Sequence, residues 1–288
     1  NHYARYVRGF NTRISGDGVL DDLFTVPSAL NDLEVFDTAT RTDGKIVGLG
    51  HRINGYLLFR LAPDGALDTT FGTYGVLQVS SLQSARSFVL DPDDSIVIAG
   101  IQGNDIQVLR LLADGSADSS FGTGGVSTDP TNQSSNQGTN YPQILRAIDG
   151  GYRVTDNDDD DTGIASCRVI GVTANGVLDT SFGDAGYTGI SSDADGSVRC
   201  NGIVQSADGK LLVGGSESGH ALVVRLLDTG APDAGFGIDF LPATEMIEAG
   251  TDMVWTIEHE GAPVGCVGLH GITWAMRAVR LDRAALGY

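Results

Sequence analysis

Positive charge is scarce in this chain. Lys and Arg number 18 against 37 Asp and Glu, which sets the formal net charge at −19. A broad duplex- or RNA-binding surface needs clustered cations, so nucleic acid is excluded as a partner. Long apolar runs are also missing: nothing approaches the roughly 18 residues of a membrane helix, and membrane insertion is not expected. Cysteine is limited to Cys167, Cys200 and Cys266, with no Cys-x-x-Cys, which rules out a zinc knuckle or thioredoxin-type motif. An odd count permits at most one intramolecular bridge. The three are either buried thiols acting as small hydrophobes or a Cys167–Cys200 bridge with one spare thiol. No Ser/His/Asp nucleophile motif and no phosphate loop occurs.

Glycine is abundant instead, at 40 of 288 residues, about double the usual share of roughly 7%. That suits many tight turns and not long helices. With 41% apolar residues the chain has enough material for a core and is not disordered as a whole. It opens at Asn1 without an initiator Met, a basic n-region or an apolar h-region, and reads as a mature product or an excised segment. The acidic, Lys-poor, Gly/Ser/Thr/Asp-rich make-up suits a secreted, periplasmic or cell-surface bacterial protein.

An internal repeat organises the chain. Leu67-Asp68-Thr69-Thr70-Phe71-Gly72 returns as Ala117-Asp118-Ser119-Ser120-Phe121-Gly122 and as Leu178-Asp179-Thr180-Ser181-Phe182-Gly183. Looser copies stand at Pro232–Gly237 and Leu20–Thr25, so the Phe residues are spaced by 47, 50, 61 and 54. Before each copy runs an apolar strand ending in Arg: Arg13, Arg60, Arg110, Arg168, Arg225 and Arg280. Four of these lie eight residues before their Asp, whereas the Arg168–Asp179 copy reads as carrying a three-residue insertion. Further upstream, Asp43-Gly44-Lys45-Ile46-Val47 matches Asp208-Gly209-Lys210-Leu211-Leu212, a hairpin turn feeding a strand.

Each unit therefore predicts four short strands, A to D, and a four-stranded unit at this spacing matches a β-propeller blade. The segment Asp64-Gly65-Ala66-Leu67-Asp68-Thr69-Thr70-Phe71-Gly72-Thr73-Tyr74-Gly75 resembles the bacterial delta-60 repeat family over roughly residues 10 to 282. The resemblance implies an all-β propeller-like array and carries no catalytic residue across. A–B–C sets are expected to start near 33, 84, 142, 198 and 250, with D strands near 76, 126, 187 and 238. The economical reading is one propeller domain over 1–288. It has five four-stranded blades, or alternatively six, in residues 15–288, closed by the N-terminal strand, with 1–14 as a surplus strand.

The repeated residues read as structural. Asp accepts N–H groups of its own turn, Phe plugs the space between blades, Gly supplies positive φ, and an Arg–Asp contact fixes register. Recognition is expected on the irregular B–C and D–A loops at the opposite end. There, Asp156–Gly163 holds five carboxylates in six positions. Asp156, Asp158 and Asp160, with Asp193 and Asp195 from a following loop, are either solvated acidic tips or a Ca2+ site. His51, His220 and His270, with Glu217, map near B–C loops and are candidates for general acid–base chemistry. The longest insert, 129–142, is polar. Three functions follow. The leading one is a non-catalytic secreted or cell-surface propeller binding a protein or glycan. The others are a hydrolase or lyase at the mouth of the axial channel, with or without a metal held by these groups, and a structural component of a larger assembly.

Overall fold

The computed structural model describes Phe24 and residues 27–103, 105–128, 141–157, 165–191 and 197–236, with strand backbone at 158–159, 240–241, 253–259, 262–269 and 278–279. The regular structure of the described residues is β, apart from one 3-10 turn at Ser28–Leu30. The chain divides into two compact units, 1–132 with 175–177, and 133–174 with 178–288. Residues 1–14 and the closing N-terminal strand lie outside the described residues.

The first unit holds two four-stranded antiparallel sheets. One runs β1 (Glu34–Thr40), β2 (Ile46–Arg52), β3 (Gly55–Leu61), β4 (Val76–Gln78); the next runs β5 (Ser84–Leu90), β6 (Ile96–Gln102), β7 (Asp105–Leu111), β8 (Val126–Thr128). The second unit holds a third such sheet, β9 (Ile144–Arg146), β10 (Tyr152–Asp159), β11 (Ala165–Val172), β12 (Tyr187–Ile190). It also holds a three-stranded sheet, β13 (Val198–Gln205), β14 (Leu211–Glu217), β15 (His220–Leu226). Two strand pairs complete it. β16 (Phe240–Leu241) lies against β19 (Ala278–Val279), and β17 (Met253–His259) against β18 (Ala262–Leu269). Strand order follows sequence order in the first four sheets, as the A–D scheme predicts. The expected fourth D strand, β16, departs from it by pairing with β19 instead of β15.

The central strands β2, β3 and β6 are near-continuous apolar runs, buried on both faces. On β3, Leu58 joins Val47 and Leu49 against Phe88, Ile96 and Ile98 of the second sheet. Leu57, Phe59 and Leu61 point the other way, to Leu30 and Leu33. In the second unit one core joins Cys167, Val169 and Phe182 of the third sheet to Cys200, Leu211, Val213 and Leu226 of the fourth.

The repeated motif works as a plug. Phe71, Phe121 and Phe182 are 0–1% exposed. In each unit the plug is met by a turn glycine from further along the chain. A Cβ added to Gly115 (φ +91) would stand 2.9 Å from the Phe71 ring, and one at Gly230 (φ +85) 2.9 Å from Phe182. The Asp of each copy caps its own turn. Asp68 Oδ1 accepts the Thr70 N–H at 3.1 Å, and Asp118, Asp179 and Asp233 repeat this with Ser120, Ser181 and Gly235. The arginine lies over the Phe ring and grips the Asp. Arg60 stands 4.7 Å above Phe71, donates from Nε to Asp68 at 2.8 Å, and reaches the Ala113 carbonyl of the second sheet. Arg225, Phe236 and Asp233 repeat it.

The third copy corrects the sequence reading. Its Asp179 amide bonds to the Gly171 carbonyl, as the Asp68 amide does to Arg60, so the eight-residue spacing is intact and there is no insertion. Gly171 occupies the arginine position, and its cross-strand partner Arg153 supplies the guanidinium, 4.6 Å above Phe182. Arg168, the expected counterpart, lies three residues earlier on β11 and pairs with Asp156.

Cys167 and Cys200 form a disulfide between β11 and β13, with Cα atoms 5.6 Å apart. Closing 33 residues of chain contributes on the order of 4 kcal/mol through loss of unfolded-state entropy. Asn157 reinforces the join by exchanging two amide hydrogen bonds with the Cys200 backbone.

Candidate functional site

The two ends of the sheets differ in chemistry. At the end carrying the Asp-x-x-Phe-Gly turns, polar groups are committed to structure. Asp68 illustrates this: burial raises its pKa, but hydrogen bonds from Thr70 and Lys45 and the charge of Arg60 outweigh that and hold it well below the ordinary carboxylate range. Asp118 is held low by the Ser120 hydroxyl and amide, against some burial and with help from Arg110.

At the opposite end, one device recurs. β1, β5 and β13 each carry a bulge, between Val35 and Asp37, Ala85 and Ser87, and Cys200 and Gly202. The extra residues are Phe36, Arg86 and Asn201. Opposite each bulge stands a glycine, and it is needed there. A Cβ at Gly50 would come 2.7 Å from the Glu34 carbonyl, and Gly100 and Gly215 would clash with the carbonyls of Ser84 and Arg199. Bulges of this kind re-aim side chains.

In the first unit the re-aimed residues meet others. The Arg86 guanidinium lies 4.4 Å from the Phe36 ring centre, Phe36 lies 6.1 Å from Tyr56, and Tyr56 lies 4.7 Å from His51. Glu34 is directly opposite His51 on the neighbouring strand, and His51 is directly opposite Tyr56 on the next. A carboxylate, an imidazole and a phenol thus stand in one row across three strands, with an aromatic ring and a guanidinium beside them. Phe36, His51, Tyr56 and Arg86 are half-buried and Glu34 is exposed. Beyond the row, the β2–β3 turn carries Ile53, which is 95% exposed. Next to the cluster, Asp37 accepts the Phe88 amide of β5 at 3.1 Å. Burial raises the Asp37 pKa, and that amide and the Thr38 amide only partly offset it.

Of the sequence candidates, His51 lies in this cluster, at the end of β2. His220 opens β15 in the second unit, directly opposite Glu217 across a tight turn at Ser218-Gly219. His270, Asp160, Asp193 and Asp195 lie outside the described residues. Asp156 is not a loop residue. It sits within β10, fully buried, and accepts the Arg168 Nε–H at 2.9 Å. The acidic stretch is strand as far as Asp159 because Asp156 faces Arg168 across the ladder and Asn157 is pinned to Cys200. Asp158 follows in the same strand. Among the described residues, no group of three or more His, Cys, Asp or Glu is placed to hold a metal ion.

Glu34, Phe36, Tyr56 and Arg86 are absent from the sequence candidates. The usable signal was the glycine recurring near the end of three B strands (Gly50, Gly100, Gly215), which marks the bulges opposite.

The fold defines an all-β repeat protein of four-stranded antiparallel sheets of the propeller-blade type. Residues 41–71, 92–121 and 206–236 match the family model described as domain of unknown function (DUF5122) beta-propeller. No curated protein matches the chain. Among solved structures, it is similar to a virginiamycin B lyase from Staphylococcus aureus at 15% identity and TM-score 0.45, covering 75% of this chain and 62% of the lyase. It is also similar to extracellular domains 1–2 of Drosophila Semaphorin 1a at 10% identity and TM-score 0.39, covering 68% of this chain and 41% of that one. The chain thus spans less than two thirds of either. Likeness at this level carries neither activity nor ligand across.

Proposed function

We propose that the protein is a non-catalytic binding module, secreted or displayed at the cell surface, that takes a protein or glycan ligand at the end of the sheets opposite the Asp-x-x-Phe-Gly turns. One observation carries this reading. The side chains that do not belong to the repeat, Glu34, Phe36, His51, Tyr56 and Arg86, gather at that end of the first unit, whereas the Arg–Asp pairs of the other end are spent on holding turns. Rigid sheets displaying variable chemistry at one end are suited to recognition. Export is supported by the Cys167–Cys200 bridge, since such bridges persist in oxidising compartments.

The test uses the immobilised chain against panels of glycans and extracellular proteins. The expected result is a ligand whose binding drops at least tenfold with Ile53→Asp and is unchanged by Tyr74→Asp on the motif turns. A ligand lost with Tyr74→Asp and indifferent to Ile53→Asp, or no specific ligand, overturns the reading.

The Glu34–His51–Tyr56 row favours a second reading, a hydrolase or lyase, because an imidazole between a carboxylate and a phenol is suited to proton transfer. Activity on a ligand found in the screen that survives His51→Ala, His220→Ala and His270→Ala removes these residues from that role.

A further inference from the structure

We infer that Glu34, His51, Tyr56, Phe36 and Arg86 form a subsite for a neutral saccharide; this rests on the binding reading and narrows its ligand and place. The polar complement suits a ring of hydroxyl groups, each both donor and acceptor. A carboxylate only accepts, a guanidinium only donates, and imidazole and phenol do either. Register places Glu34, His51 and Tyr56 in one row on adjacent strands, spaced by about 4.8 Å, comparable to the width of one sugar ring. Phe36 adds ring surface for the apolar C–H side of a sugar, whereas the Tyr56 ring packs partly on the first unit's core and contributes its hydroxyl. Phe36 is positioned by a bulge and takes no part in either apolar cluster built on the first sheet's described residues.

Charge selects against the alternatives. The subsite holds one carboxylate and one guanidinium, while the chain as a whole carries −19, so a sulfated or phosphorylated polymer is repelled. Size does the same for a protein ligand. Five side chains are few beside the roughly 800 Å² per partner of a standard protein interface, but enough to enclose one or two sugar units.

The experiment is calorimetric titration of the whole chain with neutral hexasaccharides of glucose (β- and α-linked), xylose and N-acetylglucosamine, with heparin as the polyanionic comparison. At least one neutral hexasaccharide binds with Kd below about 1 mM. Tyr56→Phe and Glu34→Gln, which keep side-chain volume, and Phe36→Leu each raise Kd roughly tenfold, the effect of losing one good contact. Tyr74→Ser leaves it unchanged, and circular dichroism melts confirm that every variant is folded. Saccharide binding indifferent to the three site variants, or binding of heparin alone, overturns the inference. A protein ligand lost with Ile53→Asp, with no saccharide bound, overturns it while leaving the binding module intact. No ligand of either kind overturns both.

Discussion

The third repeat carries its guanidinium on the wrong strand, and that exchange is open to a double-mutant cycle. Arg153 is 4% exposed in its side chain, lies 4.6 Å over Phe182, bonds to Asp149 at 2.6 Å and approaches Asp179 at 3.7 Å. Arg153→Val removes a half-desolvated cation–π contact of about 1 kcal/mol and a charged hydrogen bond of about 1.5–3 kcal/mol, the latter discounted because Asp149 is half-exposed and regains water. The expected loss is about 2 kcal/mol. Gly171→Arg alone also destabilises, by about 2 kcal/mol, because its Cβ would stand 2.7 Å from the Phe182 Cβ while Arg153 still fills the space above the ring. Together the two substitutions recreate the Val47–Arg60 arrangement of the first sheet, where valine stands opposite arginine and arginine covers Phe71. The close contact with the Phe182 Cβ remains in the double variant but the competition for the space above the ring does not, so the double loses less than the sum of the two singles, with a coupling of about 1 kcal/mol or more. Urea unfolding followed by tryptophan fluorescence and circular dichroism reads all four corners of the cycle. Additive losses, with the double variant the least stable, would refute the claim that Gly171 and Arg153 have exchanged the roles of Arg60 and Val47.

Two further outcomes follow from buried charge. Asp156 is fully buried against Arg168, at positions where the other sheets pair Gly50 with Leu57, Gly100 with Gln107 and Gly215 with Leu222. Arg168→Leu strips the carboxylate of its guanidinium and costs about 3 kcal/mol in thermal or urea unfolding. Asp156→Gly with Arg168→Leu restores the pairing of the other sheets and costs less than the single change; equal losses would refute the equivalence. The acid limit of the fold is set by the turn carboxylates. Asp208 is held at about 2, chiefly by the Ser206 hydroxyl, and Asp68, Asp118 and Asp233 are also held below their ordinary value. Their folded pKa values lie below the unfolded ones, so their contribution is complete above about pH 4 and is lost as pH falls toward 2. Asp37 has the opposite sign: its raised folded pKa means that its contribution falls as pH rises above its ordinary value. Tm measured from pH 6 to pH 2 should decline steeply below pH 4, and Asp208→Asn should flatten part of that decline. An unchanged profile for Asp208→Asn would refute its share.

Much of this fold is written locally, which is why it was legible. Turn residues and apolar runs act within a few positions, and the strand sets expected near 33, 84, 142, 198 and 250 begin at 34, 84, 144, 198 and 253. What escaped depends on register between strands. Arg168 ends an apolar run as Arg60 does, so a one-dimensional reading equates them; the hydrogen bond from Asp179 to Gly171 shows the true alignment three residues on. The acidic run reads as a loop because a strand of aspartates is locally unfavourable, yet Arg168 and the Cys200 backbone, both distant in sequence, hold Asp156 and Asn157 in the ladder. The candidate site escaped for the same reason. Phe36 and Arg86 are unremarkable apolar and charged residues in their own segments, 50 positions apart, and become neighbours only because each is the surplus residue of a bulge on the adjoining first strands of two sheets. The glycine opposite each bulge is what lets the backbone come that close, so a repeat element that looks purely architectural fixes where non-repeated chemistry is displayed. Function in such an array is accordingly sought where side chains change while their bulge and its glycine do not.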